Sequence, residues 1–198
     1  MEVKIFDGLL PKNLEDDIER FTMGISFPWF YIPDITRMVS GSELYAQPGF
    51  HNTVYNLYEP TNPFFDYFKF LAFFIEEKIE HDKELYLFRL RCGLNYPLVS
   101  HNRKFDMEYN YPHIDHNPDL IQGTTYTCLY YVNDCDGDTF IFNETEESKK
   151  YTIKQRVSPK KGRVCIFDGK HYHASSSPVL SNSRVVLTFN YHDKKYHT

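Results

Sequence analysis

This sequence predicts a mainly β, single-domain fold of the β-sandwich or jelly-roll kind, supported by N-terminal helices. Three observations predict it. From Leu85 onward, short segments of two-residue periodicity follow one another with turn residues between them and no helical stretch separating them. Aromatic residues make up 17% of the chain, through 17 Phe and 16 Tyr, a load that favours strands and a filled core over a helical bundle or a disordered tail. The 198 residues are enough for one domain with its own core, and no repeat, low-complexity tract or Gly/Ser linker divides them. Parallel α/β layering is excluded, because it needs helices between the strands.

Residues 1–80 read as support and residues 85–192 as the β core. Pro11 to Phe21 carries Leu14, Ile18 and Phe21 at helical spacing, with Glu15, Asp16 and Asp17 early, where the helix dipole favours acids. Pro63 to Glu80 is the clearest helix. Asn62 can cap it, Pro63 suits the first helical position, and Phe64, Phe68, Leu71, Ala72, Ile75 and Ile79 form one apolar face meant for a sheet. The predicted strands are Leu85–Asn95, Thr124–Asn133, Thr139–Asn143, Tyr151–Val157, Arg163–Phe167 and Val185–Tyr191. Asp136-Gly137 and Lys161-Gly162 signal turns.

A net charge of −5 argues against a chain whose main task is coating nucleic acid. The basic residues Lys149, Lys150, Lys154, Arg156, Lys160, Lys161 and Arg163 follow the acids Glu144, Glu146 and Glu147, so they read as a solvated face of alternating charge. Cys92, Cys128, Cys135 and Cys165 form no CxxC pair, which excludes zinc-ribbon and thioredoxin readings. With no signal-like N-terminal segment and no apolar run of roughly 18 residues, the expectation is a soluble cytoplasmic protein with free thiols, without a membrane partner.

The segment Tyr111-Pro-His-Ile-Asp-His116 holds the chain's only HxD. On extended backbone, residues two apart face the same side, so His113 and Asp115 can meet one ion. With a second imidazole from a later strand they form the two-His, one-carboxylate set of non-haem Fe(II) oxygenases. His171 and His173 both qualify, and their shared strand parity leaves the choice between them open. Arg184 opens an apolar strand and must find an anion or stay at the rim; its planar fork suits a carboxylate.

Taken in order, HxD, then Asp136-Gly-Asp-Thr-Phe-Ile-Phe142, then Pro159-Lys-Lys-Gly followed by Phe167-Asp-Gly169, then a His and an Arg, the motifs resemble the 2-oxoglutarate/Fe(II)-dependent dioxygenases. Tyr126-Thr-Cys-Leu-Tyr-Tyr-Val-Asn133 is similar to a strand of the prolyl-hydroxylase-like branch, and the overall run is similar to small dioxygenases encoded by marine bacteriophages, which implies host cytoplasm. The resemblance covers about residues 85–192. It implies a double-stranded β-helix (a jelly roll of the cupin kind), Fe(II) held by His113, Asp115 and His173, 2-oxoglutarate held by Arg184, and O2 as oxidant. It also implies co-substrate contacts from Tyr131, Leu129 and Thr188, and a peptide, protein or small-molecule substrate, with a prolyl residue suggested by branch. Asp138 stands where the family often has Gly, and the family's further pocket tyrosine has no clear match in Tyr96–Tyr111. The second Arg usual six residues on in nucleobase-repair relatives is Asn190 here, and a carboxylate ligand argues against halogenation. The loop Pro97–Tyr111, with Arg103, Lys104, Phe105 and Tyr109, is a candidate lid. Two other classes compete: a jelly-roll scaffold without catalysis, and a cupin-like metal isomerase, which ordinarily uses more histidines and no such arginine. The oligomeric state is not legible.

Overall fold

The computed structural model describes residues 1–33, 48–82, 84–97 and 108–193. The central part of the candidate lid, with Arg103, Lys104 and Phe105, lies outside these residues. Eleven strands and two helices are arranged as β1 (Lys4–Phe6), α1 (Lys12–Thr22), β2 (Phe30–Ile32), β3 (Gly49–Asn56), β4 (Glu59–Pro60), α2 (Phe65–Glu76), β5 (Tyr86–Asn95), β6 (Thr125–Tyr131), β7 (Thr139–Phe142), β8 (Ile153–Val157), β9 (Val164–Asp168), β10 (His173–Ser175) and β11 (Arg184–His192). All six strands predicted from the alternation are present. The short β1, β2, β4 and β10, and the longer β3, were not predicted, because pairing with distant strands defines them more than local pattern does.

The strands form two antiparallel sheets. The major sheet runs β1-β9-β6-β11-β5-β3-β2, with β4 on β3; the minor sheet runs β10-β7-β8. This is the jelly-roll architecture expected from the sequence. Both helices cover the outer face of the major sheet. Phe68, Leu71, Ala72 and Ile75 of α2 pack there with Ile18 of α1 and with Leu90, Cys92, Cys128, Leu187 and Phe189. Phe68 is fully buried, so its truncation to Ala costs about 3–5 kcal/mol. The helix itself begins later than its sequence signals suggest: Asn62 accepts a hydrogen bond from the Phe64 N–H at 3.1 Å, in a turn that precedes the first helical residue.

The opposite face of the major sheet meets the minor sheet around Leu129, Tyr131, Ile141, Val157, Cys165, Phe167 and Val186. Central strands β6 and β11 are therefore buried on both faces, and their alternation separates two cores rather than core from water. All four cysteines are free. The basic segment is largely the expected solvated face, with Lys149, Lys150, Lys154, Arg156 and Lys160 exposed, and it also makes ion pairs that local charge alternation did not suggest. Arg163 and Lys160 pair with Asp7, Lys161 with Asp16 and Glu19, and Arg156 with Asp138 and Glu108. The partners of Lys160, Lys161 and Arg163 lie about 140 to 160 residues away, beyond the reach of any local charge pattern. These pairs tie β1 and α1 to the core.

Candidate functional site

The site forms where the minor sheet's free edge meets the floor of the major sheet. His113 makes an isolated bridge to His173 of β10, each N–H donating to the other's carbonyl at 2.9 Å. Directly opposed residues project to the same face, and the two rings lie 4.7 Å apart between centroids. Asp115, two residues on, joins them: one donor atom from each of His113, Asp115 and His173 lies within 4.8 Å of the others. The structure thus brings His173, and not His171, beside His113 and Asp115. The His171 ring turns away to Lys154 Nζ at 2.8 Å.

His171 still contributes through its backbone. Its carbonyl lies 3.3 Å from His173 Nδ1, and the Tyr111 carbonyl lies 3.2 Å from His113 Nδ1. Each imidazole finds an acceptor two residues upstream, which sets the proton on Nδ1 and leaves Nε2 as the free lone pair. Burial, and then the field of His173, lower the His113 pKa to about 4, so its imidazole is neutral at neutral pH. Burial alone pushes the Asp115 carboxyl up, but Arg89 and the two imidazoles outweigh it and hold the group well below the usual carboxylate range. Two imidazole nitrogens and one carboxylate are the donors a divalent ion takes, and this set fits Fe(II).

Asp115 is held from three sides. Arg89 Nη2 sits 2.7 Å from Oδ1, in ion-pair contact without in-line hydrogen-bond geometry. Asn190 Nδ2 donates to Oδ2 at 3.1 Å, and the Thr127 hydroxyl lies 3.5 Å from the same oxygen. Arg89 Nε in turn donates to Asn190 Oδ1 at 2.9 Å. A register shift at Asn190/Tyr191 against β5 lies beside this network, a bulge of the kind that re-aims side chains next to sites. The sequence reading missed Arg89. The reasoning applied to Arg184, that a cation within an apolar strand needs an anion, applies equally to Arg89 and Arg91 of Leu87-Phe-Arg-Leu-Arg-Cys92.

The cavity wall is shared by His113, Asp115, His173, Leu129, Thr139, Arg184, Val186 and Thr188. Leu129 and Thr188 thus face the cavity as the resemblance implied. Tyr131 takes a different place: its hydroxyl donates to Thr139 Oγ1 at 2.8 Å, so it reaches the wall through Thr139. Arg184 donates from Nε to the Gly137 carbonyl and from Nη2 to Thr139 Oγ1, both at 2.8 Å. Having accepted two hydrogen bonds, Thr139 keeps its own hydroxyl proton to donate. Among the described residues no carboxylate pairs with Arg184, which is 7% exposed. Gly137 permits this arrangement, because a Cβ there would meet the Ser176 carbonyl at 2.8 Å and the Arg184 stem at 2.9 Å. Asp138, the departure from the family pattern, points instead to Arg156.

Residues 100–192 match the model of the 2OG-Fe(II) oxygenase superfamily, a span that contains the triad and Arg184. No curated protein sequence matches the chain. Among solved structures, a 2OG-Fe(II) oxygenase family oxidoreductase from Burkholderia pseudomallei superposes with a TM-score of 0.69 at 11% identity, over 98% of this chain and 86% of the other. A prolyl hydroxylase from Trichoplax adhaerens, in complex with a hypoxia inducible factor peptide fragment, gives 0.62 at 16% identity, over 96% and 83%. The alpha-ketoglutarate-dependent epimerase SnoN of nogalamycin biosynthesis gives 0.66 at 13% identity, over 96% and 78%. The family match over residues 100–192 and the triad both point to the 2-oxoglutarate/Fe(II) oxygenases, and the solved structures share the fold. At superfamily level these enzymes use Fe(II), 2-oxoglutarate and O2. No helix among the described residues is long and apolar enough to cross a membrane.

Proposed function

We propose that this protein is a 2-oxoglutarate-dependent Fe(II) dioxygenase that hydroxylates its substrate and releases succinate and CO2. The observation that carries this reading is the pairing of a two-His, one-carboxylate cluster with a buried guanidinium that has no anion partner among the described residues. In this reading His113 Nε2, His173 Nε2 and Asp115 hold the iron, and Arg184 meets the distal carboxylate of 2-oxoglutarate through its free donors. A scaffold protein needs neither feature, and a cupin-like isomerase has no use for Arg184.

Bound iron supplies the activation of O2 and the oxidising power, coupled to decarboxylation of the 2-oxo acid. The chain's own residues do the rest. The Nδ1–H bonds to Tyr111 and His171 fix both rings. Arg89 and Asn190 hold Asp115, and Thr139 offers a proton donor beside Arg184. Leu129 and Val186 keep that part of the wall apolar, which strengthens charge pairing inside it. A prolyl or other peptidyl residue is the substrate to test first, since the segment Tyr126–Asn133 resembles the prolyl-hydroxylase-like branch and one structural neighbour is a prolyl hydroxylase bound to a peptide.

The test is anaerobic addition of Fe(II) and 2-oxoglutarate. Chelation gives a weak visible charge-transfer band, and iron bound without that band would overturn the proposal. Succinate release across a panel of prolyl peptides, free amino acids and nucleotides then sorts the substrate. Because one structural neighbour is an epimerase, products are examined for inverted stereocentres as well as added oxygen.

A further inference from the structure

The cavity holds a second guanidinium that the proposed reaction does not use. Arg91 lines the same wall as the triad, on the face of β5 shared with Gly93 and Asn95. It stands opposite Thr188 of β11 on one side and Thr53 of β3 on the other. Arg184, by contrast, stands opposite Asn95, four residues further along β5 and roughly 13 Å away at 3.3 Å per residue. The two arginines thus mark separate parts of one cavity.

Arg91 makes no hydrogen bond or ion pair among the described residues. The one carboxylate whose field reaches it is Asp115, whose oxygens are already engaged by Arg89 and Asn190. Next to it, His51 sits opposite Gly93 with a buried Nδ1 that has no partner. Burial and the neighbouring Arg89 lower the Arg91 pKa to about 10, which leaves it charged at neutral pH. Iron and the co-substrate do not neutralise this charge. In the proposed reading the ferrous ion, Asp115, the 2-oxoglutarate dianion and Arg184 sum to zero, which leaves Arg89, held against Asp115, and Arg91, with no ion-pair partner among the described residues. Above it the wall turns apolar with Ile32 and Phe50, and Phe50 meets Tyr31 and Tyr96 edge-on.

Building on the oxygenase reading, we infer that the substrate carries a carboxylate, which docks on Arg91 with His51 beside it while its apolar part lies against Phe50 and Ile32. The carboxylate has two possible sources: the free end of an amino-acid-like small molecule, or an acidic side chain in a peptide. A guanidinium pairs with either through two parallel hydrogen bonds.

The test measures binding by calorimetry to the wild-type protein loaded with Fe(II) and 2-oxoglutarate under anaerobic conditions. The probes are matched acid and amide pairs: N-acetylproline against N-acetylprolinamide, and end-blocked Asp-Pro against end-blocked Asn-Pro. At least one acid should bind about tenfold more tightly than its amide, and the pair that does so identifies the source. The preference should fall to nearly one in Arg91→Met, persist in part in Arg91→Lys, and be unaffected in Lys149→Ala on the outer surface. Wild-type protein that binds acid and amide equally, or neither, overturns the inference without requiring any variant to fold. A preference that survives Arg91→Met overturns it too. The charge-transfer band, recorded before any probe is added, separates the two readings. Its absence sinks the oxygenase assignment, whereas a band with no acid preference sinks only the role of Arg91.

Discussion

The two ends of the cavity are built on opposite principles. At the triad, each group arrives with its supports in place: Nδ1 acceptors for both imidazoles, and Arg89, Asn190 and Thr127 around Asp115. At the Arg184 end, the guanidinium bonds to neutral oxygens of Gly137 and Thr139 and has no ion-pair partner among the described residues. A buried polar network is stable when every member is satisfied, and an unpaired buried charge is costly. In the proposed reading the first end therefore suits a cation and the second an anion. Metal affinity should depend on residues around the first, and co-substrate affinity on the second.

The sharpest way to break this contrast is Asp115→Ala. It removes the only carboxylate of the cluster, and substrate-coupled succinate formation should fall to background; full turnover in this variant would sink the ligand assignment. Next in size is Arg184→Met, which should raise the KM for 2-oxoglutarate on the order of several hundredfold, as expected for one partner of a buried charge pair. Iron binding by the same variant, measured by calorimetry without co-substrate, should change little. Equal losses in both measurements would mean the two ends are not separable.

Acid should expose the triad's contribution in the metal-free protein. The folded-state pKa of His113 is about 4, below its ordinary 6.5, and that of Asp115 lies well below 3.8. Both groups bind fewer protons folded than unfolded, so stability is present above the unfolded values and is lost as pH falls. The His113 share, about 3 kcal/mol, should go between pH 6.5 and about 4. Urea unfolding midpoints that stay flat across that window would contradict the burial argument. Bound iron should raise stability above pH 6.5, because the ion binds only the deprotonated ligands.

Smaller effects sharpen the comparison. Arg89→Met should weaken iron binding by about 10- to 100-fold, the usual range for groups that orient a metal ligand, and should change 2-oxoglutarate binding at saturating iron much less. Thr139→Val removes one hydroxyl shared by Tyr131 and Arg184 and should raise the 2-oxoglutarate KM only about fivefold. An Arg89→Met variant with unaltered iron affinity would make its contact with Asp115 incidental.

Much of this was written locally. The alternation after Leu85, the apolar face of α2 and the aromatic load determined a β architecture with a supporting helix, since those signals depend on backbone periods of 2 and 3.6 residues. The HxD spacing put His113 and Asp115 on one side for the same reason. What the tertiary structure alone decided are the encounters between distant segments. Cross-strand pairing with His113 selected His173 over His171, two histidines that strand parity could not separate. Strand register brought Arg89 and Asn190 to Asp115 across 26 and 75 positions. The same register left Arg91 facing the cavity with no ion-pair partner among the described residues, and Lys160, Lys161 and Arg163 found Asp7, just after β1, and Asp16 and Glu19 of α1. Periodicity tells a side chain which way to face. Only the assembled sheets determine what it meets there.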